Sequence, residues 1–364
     1  LYFVLNIFKK YNFFYNKMYK LLILLLIIIL AISIASLVFI ILIYKSKKIE
    51  TYKSTDKFKK IVYINVWSND FENDIIPTFT KILQAGATHI ILAFIVQPDL
   101  NNKIQIFDAV LGFTVLTPEQ RTKLMSLISN YNANLMISFG GAIKVPCPFD
   151  TILDSYYKDP TLLASDLVQI TNTYGFHGID LDIEHLIGKY YKGYCPSGEV
   201  KQDTDVEKVS DYLALLSISI KKLNPSLIVS HAPQYPYFGP SYYNVYGLVE
   251  QKAKTAIDFY NIQYYNSGDT TTYDLVFVNN PFEAAVAQIL SQGVPVDKIV
   301  VGKSIQGGEI MDLQVFASWI DQASKDSSLQ GWREKAGVMI WELFTIYSQS
   351  GKDIDNVINF FNKV

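Results

Sequence analysis

The stretch His177-Gly178-Ile179-Asp180-Leu181-Asp182-Ile183-Glu184 sets three acids at every second position, with only Leu and Ile between them. Side chains alternate across a strand, so the three carboxyls share one face and the apolar residues share the other. Three like charges this close do not all ionise comfortably. At least one acid is expected to keep its proton near neutral pH, as a general acid must. The competing reading of the pattern alone is an amphipathic strand with a wet polar face.

Working outward, short apolar segments recur at 61–67, 88–95, 134–139, 178–184, 227–232, 257–265, 298–304 and 337–343. Helical patterns alternate with them, among them 118–130 after Thr117 as N-cap, 162–174, 206–223, 281–291 and 313–323. Continuous apolar strands separated by helices predict a parallel sheet covered on both faces. Eight such units predict a closed (β/α)8 TIM barrel, whose active site forms at the C-terminal strand ends, where Glu184 falls. An open doubly wound sheet is the alternative, but no Gly-x-Gly-x-x-Gly follows the first strand. Two long connections, 186–204 and 267–280, are expected to rim the mouth.

The chain has 364 residues, 50% of them hydrophobic, and a net charge of −2. That is enough chain for a large core, and it carries no basic excess suited to nucleic acid. Residues 21–44 are apolar, broken only by Ser33 and Ser36, and uncharged over a length that crosses a bilayer as a helix. The predicted organisation is a short N-terminal segment (1–20), a single transmembrane signal-anchor helix (21–44), a Lys-rich linker (45–60) and the barrel (61–364). A cleaved signal ending near Ser33 and Ala35 is the rival. Lysines after the run outnumber those before it and favour a cytoplasmic barrel, yet large domains translocate largely regardless of charge. The C-terminal domain is expected to be extracytoplasmic, held by the anchor or secreted if the signal is cleaved.

Cys147 and Cys195 are the only cysteines, each in a Pro-bearing loop after a motif strand. One disulfide between them is possible, and the sequence leaves the pairing open. His185 and His231 stand at strand ends, but no His-Glu-x-x-His or paired-Cys spacing accompanies them, so neither a metal nor another cofactor is expected.

These motifs, in this order on successive strands, resemble the family 18 glycoside hydrolases, the chitinase family, over essentially everything after Ile61. The family's Asp-Gly-x-Asp-x-Asp-x-Glu matches His177 to Glu184 at all but its first position. Its Ser-x-Gly-Gly matches Ser138-Phe139-Gly140-Gly141, and Ala232-Pro233-Gln234, Gln263-Tyr264-Tyr265-Asn266 and Trp341 also match family positions. The departure, His177 for the first Asp, implies a different buried charge near Asp180 and leaves activity level and pH optimum open.

The resemblance implies retaining, substrate-assisted hydrolysis of β-1,4-N-acetylglucosaminide bonds in chitin or chito-oligosaccharides. Neighbours on one strand face reach a sugar from one side only, so the nucleophile must come from elsewhere, and the resemblance implies that it is the substrate's N-acetyl oxygen. Glu184 would be the acid and then the base, Asp182 would hold the acetamido N–H, Asp180 would share a proton with Asp182, and Tyr265 would aim the acetamido oxygen. Trp341 would floor the sugar; Gln263, Asn266, Gln234, Ser138, Gly140 and Gly141 would line the site; Trp67 would serve an outer subsite. Tyr235, Tyr237 and Tyr242, with Tyr190, Tyr191 and Tyr194, offer aromatic faces near the mouth. Barrel filling is the plainer role for Tyr265 and Trp341, and close backbone packing for the glycines. The same resemblance admits an endo-N-acetylglucosaminidase of N-glycans, or a catalytically silent carbohydrate-binding lectin. Intact Glu184, Asp182 and Tyr265 argue against the lectin.

Overall fold

Alternation along the strands sorts the apolar residues into two cores. Ile61, Tyr63, Ile91, Met136, Phe259, Val300 and Met339 form one buried cluster, the filling of a barrel. Their strand neighbours Val62, Ile90, Leu135, Ile179, Val229 and Val338 belong to a larger cluster shared with the surrounding helices. Strands buried on both faces are the reason the sequence reads as continuous apolar runs. Each such side chain taken fully from water contributes about 1.5–3 kcal/mol.

These features come from a computed structural model that describes residues 58–96, 104–141, 159–184, 206–306, 309–343 and 352–364, with Leu30, Ser33 and Ser36 before them. The chain divides into two compact units, Leu1–Thr55 and Asp56–Val364. Of the first unit only those three residues are described, and they are helical. The rest of the predicted anchor at 21–44, both cysteines, His185 and the connection 186–204 lie outside the described residues. Among the described residues no helix is long and apolar enough to cross a membrane.

In the second unit the strands are β1 (Lys59–Ile64), β2 (His89–Val96), β3 (Gln105–Ile106), β4 (Asn134–Gly140), β5 (Gly178–Asp182), β6 (Ile228–His231), β7 (Phe259–Gln263), β8 (Ile299–Ser304) and β9 (Gly337–Trp341). Eight pair in parallel in the order β1-β9-β8-β7-β6-β5-β4-β2, and β1 pairs with β2 to close the ring. The predicted (β/α)8 barrel is therefore present, with β3 added as a short antiparallel ribbon on β2. Lys59 and Lys60, read from the sequence as linker, are the first two residues of β1.

Helix ends follow local chemistry. Thr117 and Gln120 form a reciprocal capping box ahead of Pro118–Asn130. Asp312 caps Leu313–Ala323. Gly175, at φ 78°, takes the left-handed turn that stops Pro160–Tyr174. The helix predicted over 281–291 is shorter, Val286–Ser291. Its front is instead a turn in which Asn280 Oδ1 accepts from the N–H groups of Phe282 and Ala284, and Glu283 sits at φ 59°. The connection 267–280 is not an open loop: it holds a helical turn, Asp274–Val278, whose Phe277 is buried against Trp332.

Candidate active site

The three acids of β5 climb from the interior to the mouth. Asp180 is fully buried, Asp182 is 4% exposed, and Glu184, two residues past the strand, is partly exposed. Each has a different set of partners.

Asp180 is surrounded by neutral donors. Tyr63 and Ser138 donate hydroxyls to Oδ2 at 2.7 and 2.8 Å, and Ser230 and the Asn261 amide donate to Oδ1 at 2.6 and 3.2 Å. Strand register makes this possible, since Ser138, Asp180 and Ser230 are lateral partners across β4, β5 and β6. Burial raises the pKa of Asp180, and the four donors oppose that rise by stabilising the anion.

Asp182 and Glu184 share a hydrogen bond, which needs a proton on one of the two carboxyls. Burial first, then the charges of Glu184 and Asp180, push Asp182 well above the usual carboxylate range. Burial raises Glu184 to about 7, against its hydrogen bonds with Gln263 and Asp182. Gln263 Nε2 lies 2.9 Å from Asp182 Oδ1, 3.4 Å from Glu184 Oε1 and 2.8 Å from the Ala232 carbonyl. Gln234, bridged to Gln263 at the adjoining strand ends, donates to Glu184 Oε2 at 3.3 Å. The two glutamines, expected to bind substrate, thus have their amides on the carboxyls.

Tyr265 is buried, and its hydroxyl feels the charges of Asp182, Glu184, Glu342 and Asp180, which add to burial in raising its pKa. Trp341 is partly buried at the end of β9, with its ring against Tyr63 at 5.5 Å and Phe94 at 5.7 Å. In ring order β9 lies opposite β5, so Trp341 faces the acids across the barrel.

Gly140 and Gly141 let two strand ends approach. A Cβ on Gly140, at φ 120°, would stand 2.0 Å from the Asp182 carbonyl oxygen. The N–H of Gly141 donates to that same oxygen at 2.8 Å. Their contribution is to hold the backbone of Asp182.

Several expectations are corrected. Trp67 is not at the mouth: its ring packs on Phe79 and Phe113 in the helix layer, against Gly112. Asn266 is exposed at φ 57° with its N–H on Glu309, so its turn rather than its side chain is what the structure ties down. Ser138 reaches Asp180, not the open site. Tyr235 and Tyr237 are buried, Tyr235 stacking on Tyr264, and Tyr242 packs on Phe282. Asp180 has no hydrogen bond to Asp182; neutral groups, not a shared proton, fill its oxygens. His177 is not a partner of Asp180 either. It stands an odd number of positions before each acid and so has the opposite parity, its Nδ1 accepts from the N–H of Leu135 at 2.9 Å, and burial lowers it to about 4, so it is neutral. Sequence reasoning missed Tyr63, Ser230, Asn261 and Glu342. Inward parity on β1 and β7 was the available signal for Tyr63 and for Asn261, two residues before Gln263.

The model of glycosyl hydrolases family 18 matches residues 59–336. Among solved structures, the putative chitinase A of Streptomyces coelicolor is 17% identical with a TM-score of 0.59, covering 85% of this chain and 100% of that one. A family 18 chitinase of Pseudoalteromonas aurantia is 20% identical, TM-score 0.54, covering 84% and 100%. A fungal endo-β-N-acetylglucosaminidase of family 18 is 16% identical, TM-score 0.56, covering 83% and 97%. At these identities the likeness is one of fold. No curated protein sequence matches the chain.

Proposed function

The chain belongs to glycosyl hydrolases family 18, and from that membership we propose that it cleaves β-1,4-N-acetylglucosaminide bonds in chitin or chito-oligosaccharides, with retention and substrate assistance. The observation that carries this reading is the Asp182–Glu184 pair, two hydrogen-bonded carboxyls raised by burial at the mouth of the barrel beside Tyr265.

Glu184 gives a proton to the glycosidic oxygen as the C1–O bond breaks, while the acetamido oxygen bonds to C1. Asp182 turns from Glu184 to the acetamido N–H and offsets the charge that develops there. Tyr265 donates its hydroxyl to the acetamido oxygen and aims it. Water then adds to C1 as the bond from C1 to the acetamido oxygen breaks, and yields its proton to Glu184, which restores the acid. A carboxylate nucleophile would have to approach from the opposite wall. The acid there, Glu342, is 5% exposed and has its side chain on Asn65, which favours the substrate's own group as nucleophile.

The full chain assayed on labelled chito-oligosaccharides beside a high-mannose glycopeptide tests the substrate class. Cleavage of the glycopeptide alone would replace chitin by N-glycans as the substrate. We also propose that residues 21–44 anchor the barrel outside the cytoplasm. Protease added to intact cells should then degrade the barrel, and full protection would place it inside.

A further inference from the structure

Glu342, the residue after Trp341, has no role in the chemistry above. It is 5% exposed at the mouth end of β9, and the Asn65 amide at the adjoining end of β1 hydrogen-bonds its carboxyl. Two atoms of this pair remain buried without a partner, Glu342 Oε2 and Asn65 Oδ1. Both are acceptors when Glu342 is ionised. Buried polar atoms are rarely left in that state, because nothing repays the lost contact with water.

One proton satisfies both atoms. A carboxylic acid and a primary amide can pair in a ring: the amide N–H donates to one carboxyl oxygen, and the acid O–H donates back to the amide oxygen. We propose that Glu342 is a positioning residue that, in its protonated form, closes this acid–amide ring with Asn65 and so fixes the strand end presenting Trp341 to the substrate. The surroundings agree. Burial, with the charge of Asp108 at the start of a neighbouring helix, raises Glu342 to about 7, against the Asn65 bond. Tyr265, on the end of β7, also lies in its field. Among the described residues no cation is a resolved influence on it.

The ring stitches together a join already made by backbone. Leu343 N–H donates to the Tyr63 carbonyl at 2.9 Å, and Ile305 N–H to the Trp341 carbonyl at 2.7 Å. Trp341 therefore sits between two fixed points and against the ring of Tyr63. Loss of the Glu342 proton would leave a carboxylate oxygen facing an amide oxygen with no hydrogen between them. The pair would part, and the floor beneath the sugar would loosen.

Glutamine is the permanent neutral counterpart of this acid, with an N–H where the acid has its O–H. The test, which rests on the sugar-binding reading above, uses Glu184→Gln as a non-hydrolysing parent and measures chito-oligosaccharide affinity at pH 5.5 and 8.5. The parent is expected to lose roughly tenfold in affinity at the higher pH, a factor worth 1.4 kcal/mol. Adding Glu342→Gln should remove most of that loss, because any contribution of Asp182 is common to both proteins. Adding Glu342→Ala should bind weakly at both pH values. Thermal melts need no ligand: Glu342→Gln should match wild type at pH 5.5 and melt higher at pH 8.5. An unchanged pH dependence in the Gln variant, or a lower melting temperature at pH 8.5, would overturn the proposal. A parent that binds no N-acetylglucosamine oligomer at either pH would sink the substrate reading instead, and the melts would still decide the protonation of Glu342.

Discussion

Tyr63 on the first strand donates its hydroxyl to Asp180 Oδ2 at 2.7 Å, joining residues 117 apart in the chain inside the barrel. Asp180 thereby keeps an anion's partners in a place that penalises anions, and its charge helps raise the pKa of Asp182. Removing the hydroxyl with Tyr63→Phe takes away one of four donors. A hydrogen bond to a charged group contributes about 1.5–3 kcal/mol, so urea denaturation should register a loss of that order. The rate constant kcat should fall about tenfold with KM little moved, because Tyr63 is buried with its hydroxyl on Asp180. A variant as stable and as fast as wild type would show that Asp180 does not need this donor.

Glu184→Gln should reduce hydrolysis of chito-oligosaccharides by at least about a hundredfold while leaving their binding within a few-fold of wild type. Steady-state turnover together with calorimetric binding separates these quantities. Equal turnover by the two proteins would refute the assignment of the acid.

Substrates without the N-acetyl group at the cleaved sugar should not be hydrolysed. Fully deacetylated chitosan is the direct comparison, and its efficient cleavage would count against substrate assistance. Tyr265→Phe should mimic part of this defect, lowering kcat by about tenfold to a hundredfold through lost aim of the acetamido oxygen.

The acid must be protonated in the free enzyme, and Glu184 is raised to about 7. The value of kcat/KM should therefore fall as pH rises through about 7, an alkaline limb visible in a pH–rate profile. A profile flat from pH 6 to 9 would contradict it.

Stability should move in the same direction. Glu184 and Glu342 are both raised from 4.5 to about 7 in the folded protein, so between these values the fold holds protons that the unfolded chain has released. Their contribution is complete below the lower value and lost as pH climbs through the upper one. Melting temperatures should fall from pH 5.5 to 8.5, and the double variant Glu184→Gln/Glu342→Gln should flatten that slope.

The eight-strand ring was legible because its signal is local. Apolar runs, and Thr117 ahead of its helix, each act within a few residues. The acids were legible for the same reason: parity alone places Asp180, Asp182 and Glu184 on one face of one strand. The helix front at 281–284 was missed because a side-chain turn from Asn280 outcompetes a helical pattern that periodicity cannot distinguish from it.

Periodicity and motif spacing by themselves determined the barrel, its catalytic strand and the identity of the acids, since alternation is a property of the strand alone. Tertiary structure decided what surrounds those acids: that Tyr63, Ser138, Ser230 and Asn261 converge on Asp180, that Gln263 and Gln234 hold the carboxyls, and that Trp67 turns to the helices. Their meeting depends on ring closure and on the register between strands far apart in the chain, and no local stretch of residues encodes either one.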